Sequence, residues 1–293
     1  MSTLPRVSIV MGTYNRARMI GRAIEALRRQ TFTDWELIIA DDCSTDDTPA
    51  TIRAWAEREP RIVSLRNEVN EGISRNYNTA LRRARGEFIA MLDDDDVWGV
   101  DDKLARQVAF LETHPDYVGC GGGLVVITSE GQELYRYLKP ETDDRIRRMM
   151  LLSNPMANST TLFRRSAGEQ VGWYDESMRY SGDRDFWMKM ALVGKLHNFA
   201  EYLGFYTTGS HNTSIIHIKP HLKASLMLTS RYRTKYPNYP LALALNYAQY
   251  WYAFLPQCIR RSTHTSVIRV KRAVSGGAPR GSALTIIAPK PSA

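Results

Sequence analysis

An α/β fold, with a mostly parallel sheet and helices on both its faces, follows from three observations. Apolar runs of strand length alternate with segments of helical spacing through all of residues 6–92. The connections between them are short. Polar side chains gather just beyond the carboxyl ends of several of those runs. Regular strand–helix alternation with short loops is the pattern of parallel strands joined by crossover helices. Ligands of such sheets collect at the carboxyl ends of the strands.

The elements follow in order. Residues 6–14 (RVSIVMGTY) read as a buried strand. Residues 16–30 carry apolar side chains at positions 17, 20, 23, 24 and 27, a helical spacing. A second strand spans 35–42 (WELIIADD) and ends in acids. Residues 44–59 open with capping residues and continue with helix-spaced Ile52, Trp55 and Ala56. A third strand at 62–67, a third helix at 73–84 and a fourth strand at 87–92 complete the alternation. Beyond residue 100 the pattern loosens: a helix at 101–115 stopped by His-Pro, a glycine-rich strand at 117–128, a helix at 143–154, a strand and short helix after Asn158, and a helix at 181–195 with Phe186, Trp187, Met190 and Ala191 inward. One or two strands follow at 196–209. The Gly triplet at 121–123 implies close approach of another backbone.

Composition bounds the class. The 293 residues, 43% hydrophobic and 10% aromatic, suit a folded globular chain with a substantial core. The three cysteines (Cys43, Cys120, Cys258) form no CxxC pair, which argues against zinc or a disulfide framework and for a reducing compartment. The first residues lack the pattern of a signal peptide, and no run reaches the ~18 apolar residues of a spanning helix. The expected location is the cytoplasm, with peripheral attachment to the inner face of a membrane as an option. Charge is uneven. Residues 1–201 hold 27 basic and 31 acidic side chains, while 202–293 hold twelve Lys/Arg and no Asp or Glu, giving +8 in all. A basic tail of this kind suits an anionic surface: phospholipid, nucleic acid or a polyanionic acceptor. Residues 240–261 are rich in Leu, Tyr and Trp and uncharged before Arg260, a composition for a helix packed on the body or lying in a membrane interface. The last nineteen residues read as a disordered tail.

Asp93 to Asp96 close the fourth strand. One acidic cluster at a turn is ordinary. Here Thr13 and Tyr14 follow the first strand and Asp41 and Asp42 the second, so three polar sets meet on one edge. Packed carboxylates repel, and a divalent cation, which takes oxygen ligands, removes that cost.

Five blocks carry a resemblance: VSIVMGTYNR, ELIIADDCSTDDT, NEGISRNYNTAL, GEFIAMLDDDDVW and SGDRDFWMKM. In order and spacing they resemble the family 2 glycosyltransferases with the GT-A fold, over about residues 5–215. The resemblance implies a Rossmann-like GT-A sheet, with residues 1–100 as the nucleotide-sugar-binding half and 101–215 as the acceptor-binding half; residues 216–293, outside the resemblance, read from charge and composition as a basic helical extension ending in the disordered tail. It implies an inverting, metal-dependent transfer of a sugar from a nucleotide diphosphate, UDP favoured, to the hydroxyl of a glycan or lipid-linked acceptor. Thr13 and Tyr14 would line the base pocket, Asp42 would accept from the base N–H, and Arg75 would sit over the nucleotide. The aspartates match the family's DxD motif: Asp93 its first acid, Asp94 towards the ribose, Asp95 holding Mn2+ or Mg2+ on the diphosphate. The run has four acids where the family often has three, so the assignment within it is open by one residue.

Asp183 aligns with the family's catalytic base, with Gly182 where Glu is usual and with Asp185 as the rival that should support the helix. Either could serve as a first-turn carboxylate alone. His211 lies where some relatives supply a metal or phosphate contact. Asn158, Ser159 and Arg165 fall in the segment that shapes the acceptor side in relatives. The processive QxxRW motif and spanning helices are absent, so the expected product carries one added sugar. A nucleotidyltransferase would want a GxGxR-type loop that MGTYNRAR is not. Two other readings remain at this stage. One is a catalytically weak nucleotide-sugar module that works through its tail. The other is nucleic-acid binding through 219–272, ranked below an anionic membrane at the same residues.

Overall fold

The structure, a computed structural model, describes residues 4–209, 217–252 and 254. Its centre is one nine-stranded sheet. Strands β1 (Val7–Thr13), β2 (Trp35–Asp41), β3 (Ile62–Arg66) and β4 (Phe88–Met91) run parallel in the order β3-β2-β1-β4. Their crossovers are α1 (Ile20–Arg28), α2 (Thr48–Arg58) and α3 (Ile73–Arg83). This half matches the expected alternation element for element. Helix α1 begins at Ile20 rather than at residue 16, because Arg16 N–H donates to Thr48 Oγ1 at 2.8 Å and the chain turns before the helix starts.

Alternate residues of the parallel strands enter different cores. Val7, Ile9 and Met11 pack with Ile20, Ile24 and Leu27 of α1 on one side. Val10 and Ile38 pack with Ala80 and Leu81 of α3 on the other. Both faces of the sheet are covered, which is why these strands read as continuous apolar runs.

The rest of the chain extends the sheet. After β5 (Val97–Trp98) come α4 (Lys103–Thr113) and β6 (Tyr117–Ile127). Then follow β7 (Glu133–Tyr137), α5 (Asp143–Met149), a 3-10 turn at Asn158–Thr160, β8 (Leu162–Arg164) and α6 (Arg165–Val171). Helix α7 (Gly182–Val193) leads into the single long β9 (Lys195–Thr207). Strand β8 joins antiparallel to β4, β6 lies next, and β9 pairs parallel to β6. The Gly triplet sits where β6 meets β7 and β9: a Cβ on Gly123 would lie 2.7 Å from the Tyr137 carbonyl oxygen and 3.1 Å from that of Glu201.

Strands β5 and β7 and helix α8 (Ile218–Arg231) lie outside the element-by-element sequence reading, and α5 ends at Met149, short of residue 154. Helix α9 (Tyr239–Tyr252) corresponds to the first part of the apolar segment 240–261. Leu228, Tyr232, Tyr236 and Ala242 are buried in the same core as Phe163, Phe186 and Trp187, so α8 and α9 pack on the body. No helix of the described residues is long and apolar enough to cross a membrane. The last residues, with the tail expectation, and Cys258 lie outside the described residues.

Candidate active site

The carboxyl ends of β1, β2 and β4 meet at one rim. Thr13 pairs with Asp41 in register, Asp42 N–H donates to the Thr13 carbonyl at 2.9 Å, and Leu92 N–H donates to the Val10 carbonyl at 3.1 Å. The loops leaving this rim are tied together. Asn15 adopts φ 55°, a left-handed value that Asn tolerates. From there its N–H donates to Ser44 Oγ at 2.9 Å and its Oδ1 accepts from Thr45 N–H at 2.8 Å. Tyr14, one residue earlier, stays 44% exposed.

Asp42 is buried and committed to the next loop. Its Oδ1 accepts from Asn67 Nδ2 (2.9 Å) and Glu71 N–H (2.8 Å), and its Oδ2 from Gly72 N–H (2.9 Å). Gly72, at φ 86°, precedes α3 and lets the chain turn there. Arg75, in the first turn of α3, is half exposed and faces Glu176 at 3.6 Å. Together with residues 70–74 and 176–179 it lines a cleft of about 280 Å³.

The four aspartates have four environments. Asp93 Oδ1 accepts from the Tyr77 hydroxyl and from Asn158 Nδ2 at 3.2 Å. Asp94 is buried 3.8 Å from the Arg16 guanidinium. Burial, then the Asp95 charge, pushes its carboxyl up to about 8, against the pull of the Thr13 hydroxyl and Arg16. Asp95 is pushed up to about 6 by burial, then by Asp93. Asp96 is buried, with Oδ2 accepting from Ser159 Oγ and Oδ1 from Thr207 N–H at 3.1 Å. Ser159 also accepts Asp93 N–H at 3.2 Å on its hydroxyl and Trp98 Nε1–H at 2.6 Å on its carbonyl. Asp96 therefore holds the loop in place, which leaves Asp93 to Asp95 as the carboxyls of the rim.

A divalent cation fits these residues. Raised carboxyls held side by side are what a cation relieves. No three Asp, Glu, His or Cys side chains among the described residues make a complete metal cage. A donor set of one or two carboxylates completed by substrate phosphate is the usual arrangement for Mg2+.

Asp183 opens α7, behind Ser181 at φ 57°. Its Oδ2 accepts from Asn154 Nδ2 at 2.7 Å. Burial is the main cause raising its carboxyl, and the Asp93 charge raises it further, while Arg184 N–H, His221 and Lys139 lower it. Tyr174, whose hydroxyl donates to Asn158 Oδ1 at 3.0 Å, is raised by burial and then by the charges of Asp183 and Asp93. Asp185 is fully buried and turned into the packing. Its Oδ1 accepts from Arg231 Nη1 (3.1 Å) and from the Tyr232 hydroxyl (2.9 Å), both at the end of α8. Arg165 donates to the Gly86 carbonyl at 2.8 Å and pairs with Glu169, away from this cluster.

His211 lies outside the described residues. The histidine beside Asp183 among those described is His221 of α8, its Nδ1 3.3 Å from Ser181 Oγ, its Nε2 buried and its ring edge-on to Tyr180. Sequence reasoning missed it, along with Arg16, Tyr77, Asn154 and Tyr174. Arg16 and Tyr77 stand inside the family blocks and were within reach of a closer reading. His221 is 38 positions from Asp183 in an unmotifed stretch, and no sequence signal marks it.

Comparison with known proteins identifies the family and the fold. The family model "Glycosyl transferase family 2" matches residues 8–172. EpsE of Bacillus subtilis (strain 168) is 33% identical over 197 residues, 66% of this chain and 69% of EpsE. The Escherichia coli UDP-Glc:alpha-D-GlcNAc-diphosphoundecaprenol beta-1,3-glucosyltransferase WfgD is 39% identical over 105 residues, 36% of this chain and only 40% of WfgD. The mannosyltransferase PcManGT from Pyrobaculum calidifontis, solved with GDP-Man and Mn2+, aligns at TM-score 0.65 over 94% of this chain and 84% of its own, at 19% identity. Residues 1–349 of S. aureus TarS with UDP-GlcNAc align at TM-score 0.64 over 92% and 78%, at 18% identity. These likenesses show the expected GT-A fold.

Proposed function

The chain belongs to glycosyl transferase family 2, and from that membership we propose that it moves a single sugar from a nucleoside diphosphate, UDP by preference, to an acceptor hydroxyl with inversion at the anomeric carbon. The observation that carries this reading is the hydrogen-bonded chain behind the rim: Asp93, at the carboxyl end of β4, accepts from Tyr77 and Asn158, Asn158 accepts from Tyr174, and the charges of Asp93 and Asp183, at the start of α7, both act on Tyr174. The acidic rim and a carboxylate that can take a proton are the two groups that the chemistry needs.

In this reading residues 1–100 bind the donor and 101–215 the acceptor. The Tyr14 ring lies against the base, Thr13 closes the pocket wall, and the second oxygen of Asp42, with one internal donor among the described residues, accepts the base N–H. Arg75 meets the nucleotide from the rim of the neighbouring cleft. Asp93 keeps the rim in register through Tyr77 and Asn158, and Asp94 reaches the ribose. Asp95 would hold Mn2+ or Mg2+, and His211 would add a contact to the metal or phosphate. The bound cation would neutralise charge that builds on the departing diphosphate. Asp183 takes the acceptor hydroxyl's proton as that oxygen attacks the anomeric carbon. Asn154 fixes one carboxylate oxygen so that the other meets the hydroxyl. A raised carboxyl is a better base than a free one, and the ~10²–10⁴-fold contribution of such a base falls in the usual range. With one base and no covalent nucleophile, a single displacement inverts the anomeric centre. The acceptor is a glycan or a lipid-linked sugar, and the basic stretch 219–272 has the charge to meet the anionic surface where the latter resides.

A thermal-shift panel tests the reading: UDP, dTDP, GDP, CMP and their common sugars, each with Mn2+, Mg2+ or EDTA. A donor at 100 times its Kd adds about 2.7 kcal/mol, which is about 5–10 °C here. The expected result is a metal-dependent shift with one nucleotide that Asp95→Ala abolishes. No shift with any nucleotide, on folded protein, overturns it.

A further inference from the structure

We propose that the outward face of α9 is a docking surface for an anionic lipid bilayer, with the exposed cations on and just after α8 as its electrostatic partner. Helix α9 contains no charged residue. Its inner face is settled: Ala242 and Asn246 are buried, and Asn246 Nδ2 donates to Thr229 Oγ1 of α8 at 3.0 Å. At 3.6 residues per turn the opposite face carries Leu241, Ala244, Tyr247, Ala248 and Trp251. All five are exposed, Trp251 at 66%. A surface helix ordinarily turns charged and polar side chains outward. This one turns out an unbroken apolar stripe, with Phe254 exposed just past its end. Scattered exposed apolar residues need no account, but a contiguous stripe marks an interaction surface.

Charge identifies the occupant. Residues 217–252 hold five Lys/Arg (Lys219, Lys223, Arg231, Arg233 and Lys235), all exposed, and no acid. Lys219 Nζ lies 3.9 Å from the Phe254 ring, so a cation borders the stripe itself. A second copy of the chain would bring these cations against one another, and like charges across an interface are costly. An anionic bilayer meets both features: Tyr and Trp rings sit at headgroup depth, and Lys and Arg meet the lipid phosphates. The helix lies on the surface rather than crossing it. Its 14 residues span about 21 Å against a hydrocarbon core of about 30 Å.

The proposal rests on the sugar-transfer reading only for its purpose, a lipid-linked acceptor; its test is independent. Full-length protein is floated with vesicles of phosphatidylcholine alone, or of phosphatidylcholine mixed with phosphatidylglycerol. The expected result is flotation with the mixed vesicles only, weakened by salt. The double variant Tyr247→Ser/Trp251→Ser should partition at least tenfold less, with its melting temperature and its nucleotide-induced thermal shift unchanged. Failure to float with anionic vesicles overturns the proposal. So does equal flotation of the variant. A dimer in light scattering that the variant splits assigns the stripe to a second copy instead. Flotation without any nucleotide shift leaves the docking surface standing and sinks only the transferase reading.

Discussion

Asp93 to Asp96 are four copies of one side chain, and their neighbours make them four different groups. Asp96 has both oxygens satisfied, by Ser159 and by the backbone of Thr207. Replacing it with Ala strands those donors, and a loss of about 1–3 kcal/mol in a urea melt is expected. Asp95→Ala should leave stability intact, remove the response to Mn2+, and lower transfer. Asp94 gives a pH signature. Its folded-state carboxyl, at about 8, lies above the ordinary 3.8. Its stabilising share is therefore full below about pH 4 and is lost as pH rises through 8. Melting temperature measured without metal should fall over that window, and Asp94→Asn should flatten the slope. For the proton acceptor, Asp183→Asn should lower kcat by about 10²–10⁴-fold while the nucleotide thermal shift persists. A loss of both would make Asp183 a structural residue. At this scale the sequence marks where acids gather, because strand ends are legible. It does not separate the four, because their partners Tyr77, Asn158, Ser159 and Thr207 come from distant loops and strands.

The elements that the sequence reveals are those whose apolar spacing is regular on one side or both: β1 to β4, α1 to α4, α7. Strand β5 is two residues long and exists only by pairing with Phe205 and Gly204 of β9. Strand β7 (ELYRY) is a largely exposed edge with charges in the pattern, so periodicity reads it as loop. Helix α8 carries Pro220 in its first turn, where a missing N–H costs nothing, though a proline in sequence looks like a stop. The Gly triplet is legible for a different reason: only absent side chains let β6 lie between β7 and β9 so closely. Gly123→Ala drives a Cβ to 2.7 Å from a backbone oxygen. It should cost about 1–3 kcal/mol in the same melt, whereas Gly131→Asn, in an open turn at φ 85°, should cost far less.

Across the molecule, α8 and α9, which lie beyond the family match, are part of the body. Leu228, Tyr232 and Tyr236 fill the core beside α7, and Arg231 and Tyr232 hold Asp185 two positions from the proposed base. Ending the chain at Gly209 should therefore cost about 5 kcal/mol or more of apolar burial and yield protein that melts far lower or precipitates, as differential scanning calorimetry would record. Composition foretold the charge of this region and left packing on the body as one of two options for 240–261; the partners of that packing, in α7, are three-dimensional and not legible in it. One buried ring offers a different use of the same architecture. Trp98, 1% exposed, follows the aspartates by two residues, bonds to the Ser159 carbonyl and has Lys103 Nζ 3.9 Å from its ring. An indole held so close to the rim is a built-in optical reporter. Loading the donor should alter its emission, and the difference between the parent and Trp98→Phe would let the filling of the site be timed in a stopped-flow instrument without any label.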